Sequence, residues 1–221
     1  MSYIAERRLE EKERRRAQIL DAAEAVAAKA GWDAVTMDQV ARKARLSRAL
    51  LYVYFKDKTD LMFGIGERAI EALGERFADA VRGRELGRDQ LQAMGRAYVS
   101  FAREMPVYFE IVARCELHSA SQHELQGNEG ACAQAGERLQ QLMVETIQRG
   151  IADGSLRPDL GQPEVVAIAL WAFMHGVVQL MTTKANFLAL RGVTAEQLVD
   201  AAIEIATRGI GSSEPSGRRR A

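Results

Sequence analysis

Between Thr36 and Lys58 the chain reads TMDQVARKARLSRALLYVYFKDK. On a helix opened by Ser47, the side chains of Arg48, Ala49 and Tyr52, with Tyr54 at the margin, fall on one side. Leu51 and Phe55, four apart, fall on the other. The first side combines a guanidinium, a methyl group and phenol hydroxyls. These groups bond phosphate oxygens and the edges of bases. Small residues in the first turn let the backbone come close to a base pair.

Two short helices must hold that face in place. Thr36 and Gln39 have the spacing of a capping box, in which the threonine oxygen accepts one free N–H and the glutamine returns to another. Met37, Val40, Ala41 and Ala44 follow at helical offsets and give the first helix one apolar face. Arg45-Leu46 interrupts, and Ser47 is a good N-cap for the second helix. Leu46 and Leu51 have the spacing of a hydrophobic staple. Helix–turn–helix packing also occurs where no nucleic acid binds. Here the inner face is already filled by Leu51 and Phe55, so the tyrosines and basic residues are left outside.

The segment resembles the tetracycline-repressor (TetR) family of transcriptional regulators. The resemblance rests on the helix from Gln18 to Ala30 ending at Gly31, on Thr36-Met37-Asp38-Gln39-Val40-Ala41, and on Ser47-Arg48-Ala49-Leu50-Leu51-Tyr52-Val53-Tyr54-Phe55 with Lys58 and Leu61. Beyond these motifs the chain is similar only in length and all-helical character. The resemblance implies that Thr36 caps the first helix and bonds a phosphate. It implies that Ser47, Arg48 and Ala49 face the bases, that Tyr52 and Tyr54 reach phosphate or base edge, and that Lys58 clamps the backbone. Two positions depart from the family pattern. Arg45 stands where glycine is frequent, at a cost of roughly 1–2 kcal/mol if the turn needs positive φ, or with a phosphate contact in return. Leu50 stands where threonine is frequent, which turns a hydrogen bond into an apolar contact, such as one to a thymine methyl.

The charge distribution agrees with a nucleic-acid partner although the total does not demand one. The 221 residues carry 30 basic and 30 acidic side chains. Residues 36–58 hold six basic against two acidic, and residues 61–211 hold 14 basic against 19 acidic. A basic head on an acidic body concentrates phosphate attraction at one end. The two cysteines, Cys115 and Cys132, lack metal-ligand spacing and read as reduced buried thiols. Three histidines without i,i+4 pairing argue against a metal site, and no cofactor is implied. The charged start contains no signal peptide. The longest apolar stretch, Val165 to Met181, is interrupted by His175 and Gln179. A cytoplasmic chain with no membrane partner is expected. No nucleophile–base pair, glycine-rich phosphate loop or HExxH motif points to an enzyme.

The sequence predicts an all-α fold of about nine helices, with a three-helix DNA-binding head and a larger helical body. The expected boundaries are a charged arm over 1–13, the helix-turn-helix head over 14–58, an effector and dimerisation body over 59–210, and a disordered tail over 211–221. Residues 2–16 either extend the first helix or stand free, and Arg14-Arg15-Arg16 is placed to touch a flanking phosphate or minor groove. Helices are expected over Arg14–Ala30, Lys58–Val81, Asp89–Met105, Val107–Ala120, Ala131–Asp153 and Pro163–Lys184. A final helix is capped by Thr194 and Gln197. Leu61, Met62 and Ile65 should complete the head core.

Two duties fall to the body. Wide apolar faces around Leu170–Met181 and Leu198–Ala206 suit a homodimer interface, with Trp171, Val178, Leu198, Ala202 and Ile205 as its residues. The family resemblance implies the same arrangement. Polar groups on otherwise apolar helices, Tyr98, Glu110, Arg114, His118, His175 and Gln179 with Trp171 beside them, suit a small-molecule site. The resemblance implies an effector there, and an operator released when it binds. Two other readings stay open: a DNA-binding architectural protein without effector, and a small-molecule-binding helical protein.

Overall fold

The computed structural model describes residues 3–118 and 126–212, and among these every regular element is a helix. In chain order they are α1 (Tyr3–Ala30), α2 (Met37–Ala44), α3 (Arg48–Tyr54), α4 (Lys58–Val81), α5 (Gly87–Glu104), α6 (Pro106–His118), α7 (Gly127–Ala152), α8 (Pro163–Thr183), α9 (Ala185–Ala189) and α10 (Ala195–Ile210), with a 3-10 turn at Trp32–Ala34. The charged start takes the first of its two alternatives and extends α1. The short α9 was not foreseen. The helix expected from Ala131 begins earlier, at Gly127; residues 119–125 lie outside the described residues, as do 213–221 of the tail expected to be disordered.

The helices pack as two units. One falls within residues 1–70 and 105–135, the other within 71–104 and 136–221. Helices α4 and α7 each contribute to both. The first unit is larger than the three-helix head, because α6 and the start of α7 pack with it. Its core joins Ile19, Leu20 and Ala23 of α1 to Val40 of α2, Leu51 and Phe55 around α3, Leu61, Met62 and Ile65 of α4, and Ile111, Cys115 and Cys132. A head of so few apolar residues cannot bury enough surface alone, and the added helices supply it. Polar ties reinforce this packing. Arg68 of α4 bonds Asp21 and Glu24 of α1 at 2.6 and 2.9 Å, and the Tyr108 hydroxyl of α6 donates to Glu24 at 3.2 Å. Burial pushes the Tyr108 phenol up to about 12, so it remains a donor.

Gly64 sets how closely α4 approaches α3. A Cβ there would lie 2.8 Å from a Phe55 ring carbon and 3.1 Å from a Leu20 methyl. Gly64→Ala should therefore destabilise the protein by about 1–3 kcal/mol through overpacking, despite alanine's better helix propensity. Urea unfolding measures this, and an unchanged midpoint would show that α4 yields freely.

In the second unit α5, α8 and α10 pack on one another. Tyr98, Phe101, Met94, Val166, Met174, Val177, Val178, Ala202 and Ile203 are buried. Helix α8, with mean hydropathy 1.8 over its apolar window, is long and apolar enough by composition to cross a bilayer. One side of it packs on α5 and α10, while 28% of that window is buried and its outer side is uncovered.

Candidate nucleic-acid interface

The outward face of α3 is assembled from the caps upward. Thr36 caps α2 with a complete capping box, its Oγ1 accepting the Gln39 N–H at 3.3 Å while Gln39 Oε1 accepts the Thr36 N–H at 2.9 Å. Arg45 ends α2 in the left-handed region at φ 55°, ψ 40°. Its N–H bonds the Ala41 and Arg42 carbonyls, and the Leu46 N–H returns to the Ala41 carbonyl at 2.9 Å. The turn thus needs the conformation that favours glycine, and Arg45 bears a cost of about 1–2 kcal/mol to adopt it. Gln18 of α1 offsets part of this by donating to the Ala44 carbonyl at 2.7 Å. Ser47 then caps α3, its Oγ accepting the Leu50 N–H at 3.1 Å.

Leu51 and Phe55 are fully buried. That fixes the rotation of α3 and leaves Ser47, Arg48, Ala49 and Tyr52 exposed, with Leu50 half-buried. Tyr54 does not point outward with them. It is half-buried against the head core, and Val53, 77% exposed, takes the outward position. At about 100° per residue, position 54 lies about 200° round the helix from Tyr52 and so turns toward the head core. Val53 was missed because a lone valine in a tyrosine-rich run reads as core.

Arg48 is already oriented. Its guanidinium bonds Asp38 of α2 at 3.1 Å, stands 5.6 Å over the Tyr52 ring, and lies 3.4 Å from the Tyr52 hydroxyl. Lys58 departs from its expected place. Its Nζ donates to the Asp33 carbonyl at 2.9 Å and stands 5.3 Å from the Trp32 ring centroid. Partial burial lowers its pKa, against the opposing pull of Asp33. Lys58 therefore braces the turn before α2 in the unbound chain instead of reaching outward. Of the arginine cluster, Arg16 is turned inward, bonding Glu67 at 2.6 Å and Asn128 at 2.9 Å. Arg14 and Arg15 instead rim a shallow open groove with Gln18, Lys43 and Arg45, beside the end of α2. Both Arg14 and Arg15 are also paired with Glu11 of α1.

The residues expected to hold an effector do not form one set. Glu110 and Arg114 belong to the first unit, where the Arg114 guanidinium bonds both carboxylate oxygens of Asp33 at 2.9 Å and also Glu110. The Arg114 guanidinium holds the Asp33 carboxyl below its usual range. Arg114 thus fastens α6 to the turn before α2, because α6 packs against the head. The side chain of His118 lies outside the described residues. Gln179 is exposed. Three of the expected groups do meet: the Tyr98 hydroxyl lies 2.8 Å from His175 Nδ1, and the Trp171 ring stands edge-on 6.1 Å from the imidazole. This is a compact polar cluster among α5 and α8 apolar residues.

Half-burial lowers the His175 pKa from 6.5. As pH falls, the unfolded chain takes up this proton before the folded one does. Stability from this site is therefore full above 6.5 and declines as pH drops through the window between 6.5 and the lowered folded value. In His175→Gln the difference in melting temperature between about pH 7.5 and 5.5 should shrink. An unchanged difference would place the acid sensitivity elsewhere.

The dimer residues also need correction. Val178 and Ala202 are 1% and 3% exposed and belong to the core of their own subunit. Trp171 and Leu198 are half-buried. Only Ile205, at 64% exposure, is free to meet a partner, and α8 adds Val165, Ile168, Phe173 and Leu180 as exposed apolar side chains. One side of each of these two apolar helices packs on α5 within the same chain.

Comparison with known proteins agrees with this architecture. Residues 19–65 match the family described as bacterial regulatory proteins, tetR family. Residues 91–206 match the tetracyclin repressor-like C-terminal domain. The HTH-type transcriptional activator FasR of Mycolicibacterium smegmatis (strain ATCC 700084 / mc(2)155) is 31% identical over 90 residues, spanning 41% of this chain and 41% of FasR. A Rhodococcus sp. RHA1 protein described as of unknown function is 25% identical, with a TM-score of 0.72 over 90% of this chain and 95% of its own. A bacterial regulatory protein in the tetR family, also from Rhodococcus RHA1, shares the fold at a TM-score of 0.66 with 19% identity, over 90% of this chain and 98% of its own. The turn held by Thr36, Arg45 and Ser47, the outward recognition face and both matched segments lead to one conclusion: this chain belongs to the tetR family of DNA-binding transcriptional regulators.

Proposed function

We propose that the chain acts as a homodimer on a palindromic operator, reading bases through Ser47, Arg48, Ala49, Leu50 and Tyr52 and holding phosphates through Thr36 and Arg45. The observation that supports this most is the rotation of α3: two fully buried side chains lock its inner side, and an arginine–tyrosine pair stands preformed on its outer side. Two-fold pairing through α8 and α10 would set the recognition helices about 34–36 Å apart or slightly more, one turn of duplex. Lys58 and Tyr54 contribute by bracing the head; Arg14 and Arg15 flank it.

The same reading makes the Tyr98–His175–Trp171 cluster the polar anchor for a small apolar or aromatic effector. An effector shifts the protein only as far as it binds one arrangement of the two heads better than the other. Binding releases the operator, and occupancy represses transcription. A second reading, activation, is favoured by the similarity to FasR, whose name describes an activator. A reporter driven by the selected operator separates these readings: deletion of the regulator raises expression under the first and lowers it under the second. Salt tests the DNA contact itself. The logarithm of affinity should fall steeply and linearly with the logarithm of salt concentration, by about 0.9 per phosphate neutralised. A flat response would remove phosphate anchoring from the mechanism.

A further inference from the structure

Cys115, near the end of α6, and Cys132, in the second turn of α7, converge on one point. A Cβ added to Gly66 of α4 would lie 2.6 Å from the Cys115 sulfur and 3.0 Å from the Cys132 sulfur. The absence of a side chain at Gly66 is what lets both sulfurs settle there. The two thiols thus share one neighbour, and the Cys115 S–H donates to the Met62 carbonyl of α4 across 3.9 Å. Both are nearly buried, at 6% and 5% exposure. They sit close to helix ends, however, where local opening is cheapest. Nothing in DNA reading or effector binding uses this pair.

We propose that Cys115 and Cys132 form a peroxide-oxidised dithiol whose intramolecular disulfide lowers the affinity of the protein for DNA. Cys132 is the attacking sulfur, because its Cys115 neighbour favours its thiolate, against burial and the nearby Glu67 and Glu129. Its sulfur attacks one oxygen of hydrogen peroxide. The S–O bond forms as O–O breaks, and the departing hydroxide leaves as water with the proton that Cys132 released. The Cys115 sulfur then attacks the sulfenic sulfur. S–S forms, S–O breaks, and the second hydroxyl leaves as water with the Cys115 proton. Two thiols are oxidised and one peroxide is reduced to two waters. Closure to about 2.05 Å draws two sulfurs that converge on Gly66 into one bond. That changes the packing of α6 and α7 on the segment of α4 that completes the head core, and so the seat of α3.

The full-length protein provides its own readout. No lysine or arginine lies between Arg114 and Arg138, so trypsin releases both cysteines in one peptide, residues 115–138. After hydrogen peroxide that peptide should be two hydrogens lighter and resist alkylation, while the protein stays unlinked to its copies on a non-reducing gel. Operator affinity should fall at least fivefold and return with dithiothreitol. Cys115→Ser and Cys132→Ser should bind DNA as the reduced wild type does and ignore peroxide. Cys115→Ala and Cys132→Ala serve if serine disturbs the buried site, and the reductant reversal of the wild type needs no variant. Sulfinic acid or an intermolecular bond in place of the internal disulfide would overturn the proposal. So would an internal disulfide that leaves DNA affinity unchanged. Mass measurement reads the disulfide whether or not DNA binding is as proposed, so the two failures are distinguishable.

Discussion

Alanine at both Arg48 and Tyr52 should lower affinity for operator DNA by about a hundredfold or more, with the helical content and melting temperature nearly unchanged. A good bidentate base contact is worth about 1–3 kcal/mol, and the loss is suffered once in each half of a symmetric site. The fold is spared because both side chains are exposed, at 41% for Tyr52, and because the Arg48–Asp38 pair is a surface ion pair. Such pairs contribute about 0.2–1 kcal/mol at most. The single variants carry further information. Tyr52→Phe keeps the ring under the Arg48 guanidinium but removes the hydroxyl, so it separates orientation of the arginine from direct contact. Fluorescence anisotropy on the selected operator reads the loss. Unaltered affinity in the double variant would dismiss α3 as the reading helix.

Aspartate at both Ile168 and Phe173 should convert the protein to a monomer and lower operator affinity by about 10²–10⁴. These side chains are 52% and 39% exposed on the outer side of α8, and the neighbouring Ile205 of α10 is 64% exposed. These exposed apolar residues on two packed helices form the proposed association surface. A carboxylate in its centre must be desolvated without a partner, at a cost larger than the interface gains from any one residue. Loss of DNA affinity follows because each head then binds its half-site alone, without the high effective concentration that the twin supplies. Sedimentation measures the mass, and persistence of a dimer would assign pairing to another surface. The contrast with the core is diagnostic. Val178→Ala on the same helix should reduce stability and leave the dimer intact, since its side chain packs within its own subunit.

The capping signals around α2 and α3 were legible in the sequence. Thr36–Gln39 and Thr194–Gln197 form the two capping boxes their spacing announces, Ser47 caps α3, and α4 runs from Lys58 to Val81 as expected. Each depends on residues within one or two turns, which a linear reading captures. Apart from Tyr54 and Val53, the misplacements depend on contacts far apart in the chain. Lys58 answers Trp32 and Asp33, Arg114 answers Asp33 from 81 positions away, and Val178 spends its side chain on the core of its own unit. Hydropathy marks a helix as apolar without stating which side its own subunit consumes. The same limit hid the meeting of Cys115 and Cys132 at Gly66, since nothing in their spacing indicates a shared neighbour on α4. For the effector site, Tyr98 and His175 stood out as polar groups in apolar helices, and only packing showed that they bond each other.

The sequences selected from a random duplex pool by the wild type and by Arg48→Ala address the recognition helix most directly. A palindrome is expected, with half-sites about one helical turn apart centre to centre. Arg48→Ala should select the same palindrome with the base preference erased at one position in each half. Identical preferences from both proteins, or a wild-type site without two-fold symmetry, would mean that the outward side of α3 does not read DNA.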